Sequence, residues 1–277
     1  MCRRLIVLLV LCIITSVAPA ALYYWDNGGG DRNIDTLTNW NPDLTAWETG
    51  SDYFINNTNS FGGSVIVDSS VNLTTYRFQM GTTANSGISV LDMTDGFIRT
   101  DYYSQFGIKV GTNVTVNQSG GTWRNYRGVD LGYAGSQATY NLSGGILEYR
   151  LTGSYYLKVG GDGISTATFN LSDEGLVKGN LLSIGALSKI DITGGVMKFT
   201  GGTGADYTST LQAYITSGKI TNSSGEGLRI TYNHDEVISL SDGSYEVTGV
   251  TTLELIPEPA TLVILGLGSI LAIRRKR

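Results

Sequence analysis

The side chains of this 277-residue chain that could do chemistry are spread along its length in columns rather than gathered in one motif. Asp92 and Asp191 occupy the same position in two copies of a repeated segment. An acid/base pair must face across one sugar within about a nanometre. Four rungs of stacked strands place these two ~19 Å apart, so they share neither a substrate bond nor a metal. Arg99, Arg124, Glu148, Lys178 and Lys198 form an outward column in which Glu148 could bridge its neighbours. Exposed ladders of this kind are mostly solvated and contribute ~0–1 kcal/mol. Asp162, in Gly160-Gly-Asp-Gly163, and Asp173-Glu174 each offer too few oxygens for a calcium shell. His234 is the one histidine, beside Asp235-Glu236 and without a nucleophile motif near it. No catalytic residue, metal ligand or cofactor is therefore expected. What remains is aromatic. Tyr102, Tyr103, Tyr126, Tyr155 and Tyr156, with Tyr133 and Tyr149, fall near corners or outside strands. There their rings could stack on glycan, although tyrosine is also a good strand former.

These residues are positioned by a repeat. Ala138-Thr-Tyr-Asn-Leu-Ser-Gly-Gly-Ile-Leu-Glu148 recurs as Val114–Arg124, in part as Ala167–Ser172 and Lys189–Lys198, and weakly as Ser89–Arg99. The glycines that precede the copies, Gly81, Gly111, Gly132, Gly160 and Gly185, are 30, 21, 28 and 25 residues apart. Within each copy two apolar positions alternate (Leu91/Met93, Val116/Gln118, Tyr140/Leu142, Phe169/Leu171, Ile190/Ile192), the period of a strand with one buried face. Only Gln118 breaks the pattern. Between them stand Asp92, Asn117, Asn141, Asn170 and Asp191, a structural polar ladder whose amides can hydrogen-bond along a stack. Gly-Gly then makes a corner that needs positive φ.

Strand-rich units of this length, punctuated by glycine and without a helical period, cannot bury their own apolar face and must stack. The expected fold is all-β: a single-stranded, right-handed parallel β-helix of about five central coils with capped ends. A β-sandwich is the competing architecture. Residues 21–60 are read as the amino-terminal cap, 61–205 as β-helix repeats and 206–256 as the carboxyl-terminal cap. That second cap holds a short helix over Leu211–Lys219 and closing strands at Leu228–Tyr232, Glu236–Leu240 and Val250–Leu255.

The chain ends carry different signals. Residues 1–20 read as a secretory signal helix: Arg3-Arg4, an apolar run from Leu5 to Ile14, and a signal-peptidase site at Ala18 and Ala20. At the other end Pro257-Glu258-Pro259 precedes 14 mostly apolar residues and then Arg274, Arg275, Lys276 and Arg277. As a helix that run spans ~21 Å, short for a ~30 Å hydrocarbon core. The formal charge is −5, but without these ends the body carries 13 positive and 23 negative charges. An acidic body argues against nucleic-acid or anionic-membrane partners. Both cysteines, Cys2 and Cys12, lie in the leader, so the body has no thiol for a disulfide or a metal.

Two resemblances follow from these residues. Trp25-Asp-Asn-Gly-Gly29 with Asn39-Trp40 resembles the opening of exported bacterial β-helix and autotransporter-like passenger domains; here the tryptophans are expected to cover the first coil, though they could stack on sugars. The segment 257–277 resembles the PEP-CTERM sorting signal. The resemblance implies processing by signal peptidase and exosortase, transient inner-membrane contact, and a final place at the cell surface or outside the cell. A structural or adhesive role is expected there; the alternative is a β-helix that binds or cleaves extracellular polysaccharide.

Overall fold

The computed structural model describes residues 21–256. The leader, with Ala18 and Ala20, and the tail, with Pro257, Glu258, Pro259, Arg274, Arg275, Lys276 and Arg277, lie outside the described residues. The body is a parallel β-helix.

Strands β1 (Leu22–Trp25) and β2 (Trp40–Asn41) open the chain. The first turn is β3 (Asp52–Ile55), β4 (Val65–Val67) and β5 (Asn72–Thr75). The second is β6 (Arg77–Met80), β7 (Gly87–Met93) and β8 (Phe97–Thr100), and the third β9 (Tyr103–Phe106), β10 (Thr112–Gln118) and β11 (Thr122–Asn125). The fourth is β12 (Gly128–Leu131), β13 (Gln137–Leu142) and β14 (Ile146–Tyr149). The fifth is β15 (Tyr156–Val159), β16 (Thr166–Leu171) and β17 (Leu176–Gly179). The sixth is β18 (Leu181–Ile184), β19 (Lys189–Ile192) and β20 (Val196–Phe199). A helix α1 (Thr208–Thr216) and strands β21 (Ile220–Thr221), β22 (Gly227–Ile238) and β23 (Val247–Ile256) close the body.

Each turn contributes one strand to each of three sheets, and the turns pair parallel. The second sheet keeps the repeat in register: Val116 faces Tyr140, Tyr140 faces Phe169 and Phe169 faces Ile190. These side chains point to the axis, where they meet Ile98, Trp123, Leu147, Val177 and Met197 of the third sheet, all sealed from solvent. Each such aliphatic burial is worth ~1.5–3 kcal/mol, so the stacked axis is the core.

Gln118 enters this core with its polar needs met. Its amide donates to the carbonyls of Gly120, Gly121 and Ile146 at 3.3, 3.3 and 3.1 Å, and its oxygen accepts the Tyr140 hydroxyl at 2.6 Å. Burial pushes the Tyr140 phenol well up, so it stays a donor.

At the corner after β13 a side chain on Gly144 would stand 2.3 Å from the Ser119 carbonyl one turn below, and Gly145 has φ +73°. Glycine is thus required twice, once for spacing and once for conformation. In the fifth turn Asp173 takes the left-handed conformation, at φ 49°, which accommodates the extra residue there.

The structure adds a turn to the five repeat copies. In the first turn Ile66 stands level with Asp92, so the polar column that marks the other turns is missing. β22 contains the first expected closing strand and runs into the second, ending at Ile238 after a register shift between Asn233 and Val237. The helix starts and ends three residues earlier than its apolar pattern suggests: Asp206 accepts the Thr208 N–H at 2.8 Å at its start, and Gly218 lies beyond its end.

Candidate functional site

The polar column is a hydrogen-bonded chain with a direction. Asn117 donates its amide to Asp92, Asn141 to Asn117 and Asn170 to Asn141, each at 2.7 Å. Asp92 is the natural terminus because a carboxylate only accepts. Asp191 stands level with Asn170 but has no hydrogen to offer its carbonyl. It turns to the cap and accepts from the Thr221 hydroxyl at 3.1 Å and the Ser223 N–H at 2.9 Å.

The charged column of the third sheet is not the solvated face that its composition suggests. The end of β22, from Glu236, and residues 239–246 beyond it run back over this column. Going down the stack, Lys198 binds Glu236 at 2.6 Å, Lys178 donates to the Ser239 carbonyl at 3.4 Å, and Glu148 accepts the Ser241 N–H at 3.1 Å. Arg124 reaches Asp242 at 2.6 Å as well as Glu148. Glu148 is fully buried and Arg124 nearly so. Desolvation pushes the Asp242 carboxyl up, but bonds from Ser244 and Tyr126 and the charge of Arg124 outweigh it and hold the group at about 2. Ile238, Leu240, Val247, Val250 and Leu151 form a small apolar cluster that pins this strap. Nothing local in the sequence announces it, since its partners lie 38 to 118 residues away.

Tyr102, Tyr126 and Tyr155 lie at the corner between the third and first sheets, Tyr133 lies at the next corner, and most of the tyrosines are used by the chain itself. Tyr102 stacks on Tyr76 with centroids 5.1 Å apart, and the Arg127 guanidinium lies 4.5 Å from its ring. Tyr103 meets Tyr102 edge-on. Tyr126 has Arg99 at 4.4 Å and Tyr245 at 5.9 Å, while Tyr155 has Arg150 at 5.0 Å and Arg127 at 5.9 Å. Tyr156 belongs to β15, level with Leu181. Tyr149 is buried and donates to the Leu181 carbonyl at 2.7 Å. Tyr133 is 54% exposed. It borders a small cleft of ≈ 100 Å³ with Gln105, Asp130 and Lys158.

The remaining candidates organise turns. Asp162 accepts the N–H groups of Gly135, Ile164 and Ser165. Asp173 accepts the Ser172 hydroxyl at 3.1 Å. His234 sits on the surface 3.1 Å from Asp235. Among the described residues no three His, Cys, Asp or Glu side chains gather where a metal could sit. None of the helices described is long and apolar enough to cross a membrane. At the amino-terminal end Trp25, Trp40 and Tyr53 are core residues, and the Trp40 ring meets Trp25 and Tyr53 edge-on. The buried Asn39 donates to Asp31 at 2.7 Å and accepts from Gly29 at 2.8 Å, which ties the Gly-Gly-Gly loop to the cap.

β23 carries the chain out of this body, and at its last residues a known signal begins. Residues 255–277 match the PEP-CTERM protein-sorting motif. The chain carries a PEP-CTERM sorting signal. The PEP-CTERM motif implies export and sorting by exosortase. It overlaps the described structure only at Leu255 and Ile256, the end of β23, so Pro257-Glu258-Pro259 follows directly on the strand pair that closes the third sheet. No curated protein and no solved structure matches the chain.

Proposed function

We propose that the mature protein is a structural and adhesive component of the cell surface or extracellular matrix, without catalytic activity. Signal peptidase acts after Ala20, and exosortase acts near Pro257-Glu258-Pro259 after a transient stay in the inner membrane. The observation that carries this reading is the way the body spends its reactive side chains. Its asparagines, its charged column and most of its tyrosines are committed to contacts between turns, which favours a stiff rod over a reaction site. A position for exosortase just beyond β23 supports it too, because cutting there leaves every described strand whole.

The test is intact mass and fractionation of the protein in its native host, with and without residues 257–277. A product from Ala21 to about Pro257 outside the inner membrane is the expected result. A full-length chain retained in the inner membrane would sink the reading.

The second reading, a polysaccharide-binding or polysaccharide-cleaving β-helix, draws on the cleft beside Tyr133. There Asp130 and Lys158 stand 3.6 Å apart next to Gln105. Gel retardation in polysaccharide-containing gels, together with an assay for released sugar ends, separates binding from cleavage.

A further inference from the structure

A sheet ends in a strand with one row of unpaired backbone groups, and such a row recruits another strand unless it is blunted. On β18, the last strand of the first sheet, Tyr207 and Lys219 donate to the carbonyls of Leu182 and Ile184 at 3.0 and 2.9 Å. The third sheet ends differently. β23 lies antiparallel on β20 and β22 antiparallel on β23, which moves the open edge onto β22. β22 is 12 residues long, and among the described residues its outer edge takes no backbone hydrogen bond. Its register with β23 is unbroken from Gly227 to Asn233, and this stretch has no proline. Leu228, Ile230 and Tyr232 are half-buried on one face, while Arg229, Thr231 and Asn233 are exposed on the other.

The geometry points to a twofold dimer in which β22 pairs antiparallel with β22 of a second copy of this chain, centred on Ile230. A twofold axis normal to the sheet keeps both apolar rows on one face. With Ile230 at the centre it sets Ile230 against itself and Leu228 against Tyr232, so each side chain of the half-buried row gains an apolar neighbour across the new strand pair. On the polar face Arg229 meets Thr231, and no like charges oppose. Centring on Thr231 would set Leu228 against the exposed His234. The other open edge of the same sheet, β5, is a poorer partner. Val71 and Thr75 turn their carbonyls to Phe97 and Asp101, which leaves only Asn72 and Thr74 of this four-residue strand facing outward. An isologous contact also closes after two copies, whereas pairing with β5 would propagate without end. This assembly goes beyond the structural role proposed above and is tested separately from it.

Sedimentation velocity of the full chain in detergent micelles decides the matter. The wild type is expected to sediment as a dimer. Thr231→Lys opposes Arg229 of the second copy at two equivalent positions and Thr231→Glu attracts it. The Lys variant should therefore dissociate about tenfold more readily than the Glu variant. Thr231 is exposed and faces Thr252 on β23, so both variants should keep the fold. In a Cys2→Ser, Cys12→Ser background, Ile230→Cys should form an oxidised dimer and Thr231→Cys should not. A monomeric wild type, a dimer indifferent to the charge at Thr231, an open polymer, or cross-linking through Thr231→Cys would each overturn the proposal.

Discussion

Arg124 and Glu148 sit on adjacent turns with Nε and Oε1 2.6 Å apart, and the strap from Ser239 to Tyr245 seals the pair from water. Removing one partner of a buried pair strands the other charge, a loss of about 3–5 kcal/mol. Arg124→Ala should lower stability by that amount in denaturant unfolding. The double variant Arg124→Met, Glu148→Leu should recover most of it. A loss below about 1 kcal/mol for Arg124→Ala would mean that the strap leaves the pair in solvent.

Asp242 gives the strap an acid limit. Its folded-state carboxyl, at about 2, lies below the ordinary value of 3.8, so its contribution is present above about pH 4. That contribution is lost as pH falls through about 2. The melting temperature of the wild type should exceed that of Asp242→Asn at neutral pH, and the gap should close between about pH 4 and pH 2. A constant gap across that range would remove the carboxylate from the account.

Asn141 both donates to Asn117 and accepts from Asn170. Asn141→Leu breaks two neutral hydrogen bonds and should cost about 1–3 kcal/mol, clearly more than Thr139→Leu on the same face. Equal unfolding midpoints for the two variants would show that the amide chain adds nothing. Asp191→Asn gives the column the hydrogen it lacks at Asn170, and the expected result is unchanged or higher stability.

Gly179 lies under the Tyr149 ring, and a Cβ there would stand 1.9 Å from Cζ. Gly179→Ala should destabilise by about 1–3 kcal/mol through overpacking, although its backbone tolerates alanine. Restored stability in Gly179→Ala, Tyr149→Phe would be unexpected, because the clash is with the ring and not with the hydroxyl.

The solenoid was legible because its information is periodic. The Asn/Asp column recurs in each copy, the apolar alternation fails only at Gln118, and Gly-Gly corners mark three of the five copies, so the stacked fold and its inward faces can be read turn by turn. The first turn was harder to see, since Ile66 holds the polar position and no Gly-Gly marks its corner. The tail was legible for another reason: its signal is a linear order of Pro-Glu-Pro, apolar run and basic end, and it matches the sorting motif without reference to any fold.

Only the tertiary structure decided what covers those periodic faces. Arg124 and Glu148 have the composition of a solvated ladder, and Tyr126 that of a ring open to ligand. They are occupied by Ser241, Asp242 and Tyr245, which come from more than ninety residues further along the chain. Period and propensity describe a strand and its next rung. They carry no record of a loop that returns over the sheet, because that contact depends on where the β22–β23 hairpin docks on β20.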